Sequence, residues 1–182
     1  MLFNENLFYS FFSPNNTSTW VDILNHLVGD TVGLIHLISS IIALFSGSLV
    51  VLLRKGTKTH KQVGYFYVVS MLVLLITALM IYRLFQGWGL FHYFTLISLA
   101  TLALSMIPVW YKKPPKKWLY RHFSFMYWSV MGLYSATVAE LLTRIPESPF
   151  FSMVAYAIGL VMLIGTFVFI YKKPQWKREF NL

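Results

Sequence analysis

Five long apolar runs, separated by short polar connections, dominate the chain. Each run has about 20 residues, and an α-helix of that length crosses the roughly 30 Å hydrocarbon core of a bilayer. The pattern therefore predicts an all-α membrane protein with five transmembrane helices. We place the spans at Thr31 to Leu53, Val63 to Tyr82, Leu90 to Trp110, Phe123 to Leu142 and Phe150 to Tyr171.

Basic residues lie almost entirely on one side of these spans. They follow the first, third and fifth spans, and only Arg83 and Arg144 fall on the other side. Because basic connections stay in the cytoplasm, the N-terminus is predicted outside and the C-terminus inside. The basic residues of the predicted inner side are Arg54, Lys55, Lys58, Lys61, Lys112, Lys113, Lys116, Lys117, Arg121, Lys172, Lys173, Lys177 and Arg178.

This topology divides the chain into three segments. Residues 1–30 are predicted outside, with a short interfacial helix where apolar residues recur at helical spacing after Trp20. Residues 31–171 form the five-helix transmembrane domain. The fifth span has no ionisable residue, which predicts a supporting helix against a four-helix core. Residues 172–182 form a basic cytoplasmic tail, and the predicted location is a cell membrane, the bacterial inner membrane.

Composition narrows the chemistry. The chain is 57% hydrophobic and 12% charged, so the lipid bilayer is its first partner. The net charge of +9 comes from clusters between apolar runs, a topology signal that does not indicate nucleic-acid binding. The absence of cysteine excludes disulfides, thiolate metal sites and covalent c-type haem. Nucleotide-binding and hydrolase motifs are also missing.

Four histidines are candidate functional residues, because ionisable side chains in spans are rare and costly. His36 and His92 lie near the outer ends of the first and third spans. His60 and His122 open the second and fourth spans at the inner side. The result is two pairs, one per leaflet, each drawn from helices two apart. Below His36, a lane of small residues admits a neighbouring helix or a flat cofactor; it consists of Ser40, Ala43 and Gly47.

Glu140 is the acidic candidate. It lies 18 residues after His122, about five helical turns, so both are predicted on one face. Glu140 would then reach the depth of the outer pair. Simpler interpretations stay open: Glu140 pairs with Arg144 at the surface, and the inner histidines are interfacial. Each outer histidine would then bond a hydroxyl, the candidates being Ser39, Ser40 and Thr95.

Two stretches carry a family resemblance. They are GLIHLISSIIALFSGSLVVLLRKGTKTHKQVGYFYV, beginning at Gly33, and WLYRHFSFMYWSVMGLYSATVAE, from Trp118 to Glu140. They resemble a large group of bacterial predicted membrane proteins described as a domain of unknown function. The shared pattern lies around His36, Gly47, His60 and Gly64, and around Arg121, His122 and Met126.

The histidine layout is also similar to that of the two-haem transmembrane b-type cytochromes. That resemblance implies an outer haem b held by His36 and His92 and an inner one held by His60 and His122. The chain would then carry electrons across the membrane to a redox partner, as a possible oxidoreductase.

Two alternatives stay open beside haem binding. In the first, His36, His92 and Glu140 hold zinc or iron with an open coordination position, in a metal-dependent enzyme or a metal-handling protein. In the second, the chain is a structural or assembly subunit of a membrane complex, without a cofactor.

Overall fold

Five α-helices make up the part of the chain that the computed structural model describes, residues 30–82, 86–112, 117–143 and 149–179. The helices are α1 Thr31–Leu52, α2 Lys58–Met80, α3 Leu90–Tyr111, α4 Trp118–Leu142 and α5 Phe150–Glu179. The all-α prediction is therefore confirmed. The predicted interfacial helix in residues 1–30, except Asp30, lies outside the described residues, as do Arg83 and Arg144.

Four of the helices are long and apolar enough to cross a membrane: α1, α2, α3 and α5 as far as Trp176. The fourth helix is not among them. It has 25 residues, enough for about 37 Å of helix, but it carries Arg121, His122 and Glu140 among many serines and tyrosines. The structure thus supports a multi-pass membrane protein with at least these four spans.

Two helices begin five residues before the predicted spans. The start of α2 is set by Thr57, whose Oγ1 accepts a hydrogen bond from the His60 backbone N–H at 3.1 Å. A threonine cap of this kind satisfies a backbone donor that the first turn leaves without a partner. α4 begins at Trp118, so His60 lies in the first turn of α2 and His122 follows directly after the first turn of α4.

The last helix continues beyond the predicted end of its span. α5 runs through Pro174 to Glu179, so residues 172–179 of the predicted basic tail are helical. The side chains of Lys172, Lys173 and Arg178 are exposed there.

A tight turn joins α1 to α2. Gly56 has φ +80°, a left-handed conformation that a glycine adopts without strain. The Lys55 ammonium donates hydrogen bonds to the carbonyls of Val51 and Leu53, the latter at 3.0 Å. A cation at this end of a helix also interacts favourably with the helix dipole. Lys55 therefore caps α1 in addition to its place in the basic cluster.

Residues 1–95 form the first of two compact units, and α1 packs on α2 within it. The buried face of α1 is made of small residues: Gly33, Ser39, Ala43, Ser46, Gly47 and Val50. A Cβ on Gly64 of α2 would lie 3.6 Å from Val50 Cγ2, an ordinary contact distance. The predicted small-residue lane below His36 therefore accommodates a neighbouring helix.

Residues 96–182 form the second unit, in which α4 packs on α5. The Tyr127 hydroxyl donates to the Gly165 carbonyl at 2.7 Å, and a Cβ on Gly165 would lie 3.0 Å from Met131 Sδ. Gly165 thus lies at a close approach of the two helices. Gly159 of the same helix has nothing within 4 Å of an added Cβ. The four-helix core with one supporting helix stays a prediction.

The outward surfaces of these helices are strongly apolar. Leu52 is 80% exposed, Phe45 70% and Phe167 72%. Side chains of this size are rarely so exposed in a soluble monomer, whereas in a bilayer they contact lipid.

Candidate functional site

His36 of α1 forms a hydrogen bond with α2. Its Nδ1 lies 3.1 Å from Thr77 Oγ1. Thr77 Oγ1 also lies 2.9 Å from the carbonyls of Val73 and Leu74 of its own helix. When the Thr77 proton is directed at one of these carbonyls, Oγ1 accepts from His36 Nδ1–H, and when it is directed at the imidazole, Nδ1 accepts.

The predicted hydroxyl partners of His36 were the wrong ones. Ser39 and Ser40 donate instead to backbone carbonyls three residues back, those of His36 and Leu37. The hydrogen bond to a hydroxyl is present, but it comes from the neighbouring helix.

His92, at the start of α3, carries its ring proton on Nε2. The Gly89 backbone N–H donates to His92 Nδ1 at 3.2 Å. Because a backbone N–H can only donate, Nδ1 carries the lone pair and the neutral ring has its proton on Nε2. Thr95, a predicted partner, donates to the Phe91 carbonyl.

The Nε2 atom of His92 is buried without a hydrogen-bond partner in the part of the chain that the structure describes. The residue is 4% exposed. Two aromatic rings contact the imidazole: Tyr82 is stacked with centroids 4.9 Å apart, and Trp88 is tilted at 5.4 Å. An unpaired buried donor costs about 1–3 kcal/mol, so this atom needs an explanation.

His122 of α4 contacts α3. Its Nδ1 lies 2.8 Å from the Ser105 carbonyl oxygen, which can only accept, so Nδ1 carries the proton. Ser105 lies three residues before Pro108, in the turn whose hydrogen bonding the proline ring disturbs. Neighbouring polar groups that bond such carbonyls make a proline tolerable in a spanning helix. The lone pair of the neutral His122 ring is therefore on Nε2.

His60 is half-buried in the first turn of α2, and its backbone N–H is held by the Thr57 cap. His60 therefore lies at the start of α2, as its position in the sequence predicts.

Glu140 does not follow the predicted face. The face from His122 is buried at Met126, Ser129 and Leu133, but the buried stripe then shifts to Ala139, and Glu140 is exposed. Among the described residues, no three His, Asp or Glu side chains lie close enough to hold a metal ion. The site of His36, His92 and Glu140 therefore stays a prediction from sequence.

The four histidines differ in how well they fit haem. An iron-ligating imidazole donates its other N–H to an oxygen and binds iron through the remaining lone pair. His122 has this arrangement through the Ser105 carbonyl, and the contact of His36 with Thr77 is compatible with it. His92 does not, because its Nε2 carries the proton.

Sequence reasoning missed Thr77, Ser105 and the rings around His92. Thr77 could have been predicted as the partner of His36, because an antiparallel helical hairpin pairs residues at equal distances from its turn. The pairs His36 with Thr77 and Val50 with Gly64 are both centred within about one residue of Gly56. The acceptor role of the Ser105 carbonyl and the stacking on His92 have no comparable sequence signal.

No curated protein and no solved structure matches the chain. A family model does match, over residues 33–170, which include all four candidate histidines and Glu140. Its description is a predicted membrane protein (DUF2306), in agreement with the resemblance in the sequence. The match gives no support to the similarity with b-type cytochromes. Because it includes most of the chain, it shows that the protein belongs to the DUF2306 family of predicted membrane proteins.

Proposed function

We propose that the protein is a membrane redox protein that binds haem b and passes electrons to a partner. The observation that carries the proposal is that His36 and His122 each bond an oxygen of a neighbouring helix through Nδ1. The His122 Nδ1–H donates to the Ser105 carbonyl and leaves the lone pair on Nε2, and Thr77 Oγ1 is able to accept the same bond from His36. One such histidine belongs to each of the two pairs that the sequence predicts.

Thr77 and the Ser105 carbonyl are positioning groups in this proposal. Each fixes the orientation of one imidazole and selects the tautomer that ligates iron. Haem would supply a centre that gains and loses one electron. The second ligands, His92 and His60, are taken from the sequence layout alone, and His92 would have to change its tautomer to serve.

The test is the visible absorption spectrum of the protein purified in mild detergent from haem-replete cells. We expect a Soret band when air-oxidised, and sharp α and β bands after dithionite reduction. The variants His36→Ala and His122→Ala should each lose part of this absorption, about half if there are two haems.

Thr101→Val is the control substitution. Thr101 donates to a carbonyl of its own helix and has no histidine partner among the described contacts, so this variant should keep the wild-type spectrum. A colourless wild-type protein would contradict haem binding. So would a spectrum that neither histidine variant changes.

We further propose five spans with the N-terminus outside and the C-terminus in the cytoplasm. α4 has the length to span, and the basic residues follow α1, α3 and α5. Alkaline phosphatase fused after Gly87 or after Thr143 should be active, and after Lys112 inactive. The reverse pattern would invert the topology, and inactivity after both Lys112 and Thr143 would show that α4 does not span.

A further inference from the structure

We propose that His92 donates its Nε2–H to a carbonyl oxygen of a molecule dissolved in the membrane, either a quinone ring or the acyl ester of a phospholipid. This inference goes beyond haem binding and does not depend on it. The two roles of His92 exclude one another, because iron would need the lone pair on the nitrogen that here carries the proton.

The turn before α3 fixes the orientation of the imidazole. The Gly89 N–H donates to His92 Nδ1 at 3.2 Å, and the His92 backbone N–H donates to the Gly89 carbonyl at 3.0 Å. This reciprocal pair of hydrogen bonds holds the His92 ring against the backbone of Gly89. It also assigns the proton to Nε2, so the side chain is a donor with one fixed direction.

The donor is almost completely buried. His92 is 4% exposed, and Nε2 has no hydrogen-bond partner within the described ranges of the chain. Buried polar groups in folded proteins are nearly always satisfied, by protein, ligand or ordered water. The Nε2–H of His92 therefore needs an acceptor that the described residues do not supply.

The surroundings indicate what brings that oxygen. The described groups in ring contact with the imidazole are Tyr82, at 4.9 Å, and Trp88, at 5.4 Å between centroids. Both are partly exposed, Tyr82 41% and Trp88 57%, so the two rings that contact His92 are themselves open to a molecule in the membrane. Sites lined by aromatic rings with one placed polar group are typical of small organic ligands.

A neutral acceptor fits these surroundings best. A carboxylate or phosphate would bring a charge beside aromatic faces, at a high desolvation cost. A buried water needs two to four polar partners, and the groups stacked on the imidazole offer ring faces. A carbonyl oxygen carries no charge and accepts the single N–H, and a flat quinone ring also stacks on Trp88 or Tyr82.

The test compares two ligands on delipidated protein in detergent. In one arm decylubiquinone is added, and in the other phosphatidylcholine, with binding followed by tryptophan fluorescence. Three forms are compared: wild type, His92→Phe and His92→Gln. Phenylalanine keeps a flat ring without the donor, and glutamine keeps an N–H near the position of Nε2.

We expect saturable binding in one arm, about tenfold weaker in His92→Phe, as the loss of one hydrogen bond predicts. His92→Gln should retain most of the wild-type affinity. The arm that saturates identifies the source of the carbonyl. Equal binding by wild type and His92→Phe in both arms would overturn the proposal, and so would the absence of saturable binding in both.

A second measurement needs only the wild type, in case the variants do not fold. With ¹⁵N-histidine labelling, the His92 ring should show a protonated Nε2 whose resonance shifts when the ligand binds. A protonated Nδ1 would overturn the proposal. Haem absorption that disappears in His92→Phe would also overturn the proposal and favour iron ligation. A colourless wild-type protein would contradict haem binding but would not change the expected binding of the quinone or the lipid.

Discussion

The two helix pairs of the structure use opposite packing solutions. α1 packs on α2 through serine, alanine and glycine, with Ala43 completely buried. α4 packs on α5 through large rings, among them Phe123, Tyr127 and Phe169, with one close approach at Gly165. Since lipid tails are as apolar as the helices, neither pair gains much from the hydrophobic effect, and both depend on packing and on interhelical hydrogen bonds.

The hydrogen bonds of the two pairs also differ. In the first pair the His36 imidazole bonds a side chain, Thr77, and in the second the Tyr127 hydroxyl bonds a backbone carbonyl. A side-chain acceptor disappears with one substitution and leaves a buried donor unsatisfied. A carbonyl that loses a hydroxyl keeps its place in the helix. The first pair should therefore be more sensitive to loss of a polar partner, and the second to added volume.

The largest effect is expected at Gly165. Gly165→Leu places a Cβ 3.0 Å from Met131 Sδ and 3.1 Å from Met131 Cγ, so the Met131 side chain must shift or α5 must move away from α4. We expect the free energy of unfolding, measured by SDS titration of mixed micelles, to fall by about 1–3 kcal/mol. Gly159→Leu is the matched control on the same helix, with nothing within 4 Å of the added Cβ. Equal losses in both variants would show that the close approach does not matter.

A smaller effect is expected at Thr77. Thr77→Val keeps the shape but removes the acceptor of the His36 Nδ1–H. We expect a loss of about 0.6–1.7 kcal/mol in the same titration, the range found for interhelical hydrogen bonds in membranes. Thr101→Val should change stability by less than about 0.5 kcal/mol, because Thr101 bonds only its own helix. If the two valine variants lose the same amount, the contact with His36 is not what stabilises this pair.

The smallest effect is expected at Tyr127. Tyr127→Phe removes the hydroxyl that donates to the Gly165 carbonyl and keeps the ring packing. We expect a loss of about 0.5 kcal/mol, below that of Thr77→Val. Tyr156→Phe, on a residue 70% exposed, is the control and should be neutral. A loss in Tyr127→Phe larger than that in Thr77→Val would reverse the comparison of the two pairs.

The helices themselves could be predicted from the sequence, because apolar runs of spanning length leave few other structures. In the part of the chain that the structure describes, five helices follow one another in the order of the predicted spans. The start of α2 was placed too late because its first turn is polar and is held by the Thr57 cap, and α4 begins five residues before its predicted span, where Arg121 and His122 interrupt the apolar run. The end of α5 was placed too early for the same reason, because Lys172 and Lys173 continue the helix in a polar environment.

The candidate site was predicted less completely. The four histidines follow from composition alone, since few other ionisable residues fall in the spans. Their tautomers do not, because each depends on one partner atom: Thr77 Oγ1, the Ser105 carbonyl or the Gly89 N–H. Glu140 shows a second limit, since ideal helical periodicity placed it on the buried face, whereas the buried stripe of α4 drifts to Ala139.

Pro174 gives the last helix a property that a straight helix would lack. Proline has no N–H, so the Ile170 carbonyl receives no hydrogen bond from position 174, four residues on. Ile170 stands at the end of the apolar part of α5, where headgroups and water supply the missing donor. A helix bends most easily at such a point. The Trp176 ring, beyond the proline, contacts Phe123 of α4 with centroids 4.5 Å apart, so the basic turns after Pro174 are held against α4 by ring packing where the backbone hydrogen bond is missing.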